Sequence, residues 1–252
     1  MPANYAHHRF GKQVLKTMPP EARQCIQRFR RMYDLGLHGP DIFFYFNPFL
    51  KTSVGDLGVQ MHLTTGQDFF PRACKAASSE AARAYLYGLL GHYCLDSFCH
   101  PTVNRLDAIG EAKHAVLESE FDRALLTLDG EAHPETFDMS KKLKPTRGEC
   151  MTVAEFYPGA TGGNVSRSVK FMAFAIRFLA KPSREKLLKK LKPSLAENMI
   201  PAKENEELAV YVSELKALYD QAVEKYPALL EQLLAHMETE EPLGEGFEKD
   251  FG

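Results

Sequence analysis

Three observations predict an all-helical, single-domain fold for this chain. Apolar residues recur at intervals of three and four along most of its length. No segment alternates apolar and polar residues between turn signals, as a half-buried strand does. The densest run of ionisable side chains, His92 to Glu118, is spaced in fours, which stacks them on helical faces. With 252 residues, 44% hydrophobic and 25% charged, the chain has material for one large core.

Taken in order, helices are expected at 6–18, 20–34, 41–50, 54–74, 78–99, 105–128, 164–180, 183–190 and 204–237. Pro19-Pro20, Gly39-Pro40, Pro101 and Pro182 punctuate them. Ser78-Ser79-Glu80 precedes an apolar run and reads as a helix start. From Gly130 to Gly163 the periodicity weakens among Pro134, Pro145, Pro158 and a Gly162-Gly163 pair, which reads as a long loop. Lys181 to Lys192 is strongly basic and reads as a solvated helix face. Residues 1–240 are assigned to one domain and 241–252 to an acidic, frayed tail.

A net charge of −2 argues against a module that binds nucleic acid through a basic field. Nucleic acid remains only as a substrate. No segment approaches the ~20 apolar residues of a membrane span, and the N-terminal residues lack the apolar stretch of a signal peptide. The five cysteines are scattered, with no Cys-x2-Cys pair. Reduced thiols and a cytoplasmic setting are the expectation. Cys94 and Cys99 read as small core residues.

The chemistry concentrates in one place. His92, Asp96 and His100 form one four-spaced stripe, and His114 and Glu118 a second. Imidazole and carboxylate are the ligands of hydrolytic zinc. Burying so many ionisable groups without a metal costs several kcal/mol each. Were they exposed, they would not sit among Leu89, Leu90, Tyr93, Leu95 and Phe98. Further groups of the same kind lie upstream: His7, His8, His38, Asp41 and His62. His133 and His236 stand in polar surroundings and read as bystanders. A carboxylate-bridged di-iron bundle needs two Glu-x-x-His motifs, and only Glu111-Ala-Lys-His114 is present.

This ordered set resembles the zinc-dependent phospholipase C and P1/S1 nuclease superfamily. The matching residues are His7, Asp41, His62, His92, Asp96, His100, His114 and Glu118, over the first half of the chain. The resemblance implies an all-α, multi-helix domain holding two or three zinc ions; the residues themselves leave manganese and iron open as alternatives. It implies that His62, His92, Asp41 and Asp96 surround one metal and that His100, His114 and Glu118 hold a second. Asp96 would also reach toward a third site with His7. Asp41 is the carboxylate implied to orient or deprotonate the attacking water. The family uses its own N-terminal amine, exposed by removal of a leader, as a ligand; here removal of Met1 would leave the secondary amine of Pro2 a few residues before His7.

The implied activity is hydrolysis of a phosphoric ester, with a phospholipid as the leading substrate. A nuclease or phosphomonoesterase on the same scaffold is the alternative, and a non-catalytic metal-binding domain is another. Of the aromatic run after Asp41, Phe44 and Tyr45 are the candidates to touch substrate. The chain departs from the family in one spacing. Asp96 and His100 stand closer together than is usual, and Pro101 is expected to break the helix just after His100.

Overall fold

The structure is a computed structural model that describes residues 4–48 and 50–252. The expectation about the N-terminal amine lies outside the described residues. The chain begins with α1 (Asn4–Val14), α2 (Pro20–Arg28) and α3 (Arg30–Gly36). A 3-10 turn at Gly39–Tyr45 leads to α4 (Ser53–His62) and α5 (Gly66–Ala76). The long α6 (Glu80–Ala108) and α7 (His114–Leu128) follow. After them come α8 (Arg147–Ala154), α9 (Gly162–Leu179), α10 (Glu185–Leu191), α11 (Pro193–Ala196) and α12 (Ala209–Thr239). Among the described residues there is no strand, only an isolated bridge between Thr65 and Asp250.

α6 is the axis of the molecule. Every residue from Ala84 to Ser97 is buried, so this stretch has no solvent face and other helices surround it. Ser79 caps its first turn by accepting from the Ala82 N–H at 3.2 Å. α3 crosses it with backbones in contact, through a glycine on each side. A Cβ on Gly88 would lie 2.2 Å from the Tyr33 carbonyl oxygen, and one on Gly36 2.2 Å from that of Tyr85. α12 lies along the other flank, where Tyr226 donates from its hydroxyl to the Tyr87 carbonyl at 3.0 Å.

Several expected elements differ. Phe29 (φ −120°, ψ 43°) leaves helical geometry and splits the expected 20–34 helix into α2 and α3. Leu63–Thr65 interrupt 54–74, and Thr65 restarts the chain by capping α5 at the Asp68 N–H. The 41–50 helix is instead the tighter 3-10 turn at 39–45. The Gly130–Gly163 interval contains α8, started by a reciprocal cap between Thr146 and Glu149.

Pro101 does not break α6, which runs on to Ala108. Proline has no N–H to give the carbonyl four residues earlier. That carbonyl belongs to Ser97, and Lys249 Nζ donates to it instead at 3.1 Å. The lysine stands in for the missing hydrogen bond.

Lys249 belongs to the segment expected to fray, and that expectation is corrected. Phe247 and Phe251 are fully buried against Phe70 and Tyr93. The Tyr93 hydroxyl lies 3.1 Å from the Gly246 carbonyl and 3.0 Å from that of Lys249. Burying a Phe side chain stabilises by about 1.5–3 kcal/mol, and two such anchors outweigh the charge that made the tail look solvated.

Candidate metal centre

Five elements converge on one side of α6. α1 brings His7, the 3-10 turn brings Asp41, and α4 ends on His62. α6 supplies His92, Asp96 and His100 from one unbroken helical stripe, and α7 opens with His114 and Glu118 one turn apart. All but His114 are buried. The two neighbouring histidines of α1 part ways. His7 faces Asp96 at 3.1 Å, whereas His8 turns to Lys142 Nζ at 2.6 Å.

The side chains fall into two groups. In the first, ligand atoms of His7, Asp41, His92 and Asp96 all lie within 4.8 Å of one another. In the second the same holds for His100, His114 and Glu118. His62 reaches Asp41 at 3.0 Å without joining the four. His7 thus stands in the group where His62 was expected. Asp96 lies between the groups: its Oδ2 is 3.1 Å from His92 Nε2 and 3.8 Å from His100 Nδ1. Glu118 Oε1 is 3.3 Å from His100 Nε2 and 3.2 Å from His114 Nε2.

Backbone carbonyls fix three of the rings. His62 Nδ1 meets the Gly58 carbonyl at 2.7 Å, His92 Nδ1 that of Leu37 at 3.3 Å, and His100 Nδ1 that of Phe251 at 3.3 Å. A carbonyl only accepts, so each Nδ1 carries the proton and each Nε2 turns a lone pair toward a carboxylate. Two acceptors facing each other need a cation between them, a proton in the metal-free protein or a metal ion in its place. Gly39 lets the chain pass under this arrangement. Its φ is +45°, and a Cβ there would lie 2.5 Å from the His92 ring.

In the metal-free site the histidines and carboxylates shift one another strongly. Burial alone would lift the Asp96 carboxyl, yet His100, His92 and His7 hold it well below the usual range. Asp41 is held low against burial by His92 and His62. Glu118 is also held low, against burial, with His100 and His114 among the causes. His100 is raised to about 10: burial pushes it down, but Asp96 and Glu118 outweigh that. His92 goes to about 4, chiefly by burial, and His38 to about 3 by burial and His7. Asp41 Oδ2, Asp96 Oδ2 and His92 Nε2 are buried with no hydrogen-bond partner among the described residues. Buried polar atoms left in this way are costly, and a metal ion satisfies them. Imidazole nitrogens and carboxylate oxygens are the donor set zinc takes.

A narrow cleft of about 50 Å³ opens beside Glu118. Tyr5, Tyr45, Phe137, Ile176 and Ile200 line it. Phe44 is half-buried, its ring 5.1 Å from that of His62. The interval after Gly130 reaches this cleft through Glu135, Phe137 and Met139.

Two contributors escape sequence reasoning. Asp122 accepts from the Tyr5 N–H at 3.0 Å and the Ala6 N–H at 2.8 Å, closing the first turn of α1 next to His7. It stands four residues after Glu118, so the stripe His114, Glu118, Asp122 was a readable signal. The Phe251 carbonyl on His100 had none, since it lies 151 residues away.

An all-helical fold with buried histidine and carboxylate groups at its centre defines a class of metal-binding proteins. A family model described as zinc dependent phospholipase C matches residues 6–155, and the chain belongs to that family. Comparison with curated proteins and with solved structures finds no match.

Proposed function

We propose that this protein is a phospholipase C-like hydrolase that cleaves phosphoric esters of phospholipids at a two-zinc centre. The observation that carries the reading is the pair of buried ligand groups joined through Asp96. His7, Asp41, His92 and Asp96 would hold one ion, with His62 at its edge, and His100, His114 and Glu118 the second. Bound there, the metals would supply an acidified water and would neutralise charge on the phosphoryl oxygens.

The remaining work falls to the chain. Asp41 is the base: one of its oxygens faces His62 and the other has no hydrogen-bond partner among the described residues, so it can take a proton from water. His62 keeps the carboxylate oriented. The carbonyls of Gly58, Leu37 and Phe251 hold their imidazoles in the Nε2-basic tautomer, so no rotation is needed when substrate arrives. Phe44 and Tyr45 are proposed to contact substrate. His114, the least buried ligand, marks the open side of the second group.

The test is a substrate panel with metal analysis. Zinc-loaded protein should release phosphorylated head group from mixed micelles of phospholipid, and Asp41→Asn should abolish turnover. Zinc-loaded protein that is inert on phospholipid but cleaves single-stranded DNA or a phosphomonoester would overturn the substrate assignment.

A further inference from the structure

We infer that the outward surface of residues 167–192 docks the protein onto anionic lipid bilayers. This goes beyond the hydrolase reading and does not rest on it; the segment lies outside the stretch matched by the family model. Between Arg167 and Lys192 the chain carries nine basic residues and one acidic one, Glu185. The segment is therefore +8 in a chain of −2, which leaves the remainder at −10. Among the described residues its one ion pair is Lys189 with Glu185, at 2.6 Å.

Basic charge alone would describe a solvated helix. The structure adds apolar side chains on the same surface. α9 buries Val165, Val169, Met172 and Ile176 inward. Its opposite face exposes Arg167, Lys170, Phe174 and Arg177. Phe174 is 51% exposed, and its ring centroid lies 5.8 Å from those of both Phe171 and Phe178, so the helix presents an aromatic row edged with cations. Arg184 lies over Phe178, 4.1 Å from its ring centroid, and donates to the Phe178 carbonyl at 2.9 Å, fastening the start of α10 to the end of α9.

α10 repeats the pattern. Leu188 packs into a small apolar cluster with Leu179, Ala196 and Met199. Leu187 and Leu191, one turn apart, point the other way and are 57% and 63% exposed. Lys186 and Lys190 flank them, also exposed. A surface that combines exposed aromatic and aliphatic side chains with exposed lysines suits the boundary between head groups and acyl chains of an anionic membrane. Single-stranded nucleic acid would use the cations and the aromatic row, but Leu187 and Leu191 give it nothing to bind. The geometry also places this surface beside the cleft. The inner side of α9, through Ile176 and Leu179, forms part of the cleft wall. A bilayer docked on the outer side would bring head groups to the mouth of that cleft.

The experiment is co-sedimentation of the full chain with phosphatidylcholine vesicles, with and without about 30% phosphatidylserine, at low and raised salt. Wild-type protein should bind the anionic vesicles, bind neutral ones weakly, and release as salt rises. Lys186→Glu with Lys190→Glu should weaken anionic-vesicle binding at least ~10-fold, given the contribution of each basic residue near such a surface. Phe174→Ser with Leu187→Ser should also weaken it while leaving the salt dependence intact. All four positions are exposed or at the surface, and unchanged melting and zinc content would show the fold preserved. Equal binding to neutral vesicles, or binding indifferent to both double variants, would overturn the inference. So would tighter binding of single-stranded DNA that the lysine variant abolishes. Vesicle binding without phospholipid hydrolysis would count against the hydrolase reading alone.

Discussion

Asp96 is where the two ligand groups meet, and its surroundings set the hierarchy among single substitutions. It has His7 and His92 at 3.1 Å and His100 at 3.8 Å, whereas His7 touches one carboxylate. Asp96→Asn should therefore cost more activity and more bound zinc than His7→Ala. Loss of a residue that only supports a ligand costs about 10–100-fold in metal affinity, so loss of the shared ligand should cost at least ~100-fold. Parallel kinetics and metal content of the two variants decide this, and equal losses would remove the shared role from Asp96. At this scale the sequence showed most of the groups that the fold brings together. Spacing in fours is local, and a helix converts it directly into a shared face. What could not be read was the assignment within the set. His7 joins Asp41, His92 and Asp96 because α1 lies where it does, and no spacing encodes that.

At the scale of elements, α7 holds α1 through Asp122. The carboxyl accepts from two first-turn N–H groups that have no partner inside α1. Asp122→Ala should lower stability by about 1–2 kcal/mol, the range for a lost N-cap, and should loosen His7. Asp122→Asn should cost less, since its amide oxygen still accepts one of the two bonds. The pH dependence has a definite sign. Burial, with Glu118 adding, raises Asp122 from 3.8 to about 7 against the pull of the two N–H groups. A raised folded pKa means a contribution present below pH 3.8 and lost as pH rises through 7. The stability gap between wild type and Asp122→Asn should thus narrow from pH 5 to pH 8, and thermal melts showing a constant gap across that range would mean that the carboxyl is not raised. Element boundaries were less legible than ligands for a related reason. Pro101 would end a solvated helix, but in α6 a lysine from the far end of the chain takes over the bond that proline cannot make. The tail's acidic composition likewise masked Phe247 and Phe251, two aromatic side chains that decide where it goes.

For the whole molecule, the zinc reading predicts that metal and fold are linked. Without zinc, His100 is raised to about 10 and Asp96 and Glu118 are depressed. The His100 contribution is fully present below pH 6.5 and lost as pH rises toward 10. The carboxylate contributions are present above 3.8 and 4.5 and lost as pH falls. The metal-free protein is therefore best supported between about pH 4.5 and 6.5. Zinc binds neutral imidazole, so its stabilisation grows above about 6.5. The melting temperature should fall on chelation and recover with zinc, by a larger margin at pH 8 than at pH 6. A margin that shrinks as pH rises, with metal loss verified, would contradict this charge pattern.

The carbonyl that orients His100 has a consequence in time. Every candidate ligand from His7 to Glu118 is synthesised well before Phe251, whose carbonyl orients the His100 ring. The helices can assemble during synthesis, yet the imidazole of His100 acquires its fixed proton position only after a contact spanning 151 residues closes. Contacts that distant form late, because loop closure must come before any gain from the contact. A nascent chain therefore passes through a stage in which the ligands are gathered but the second ligand group is not yet locked.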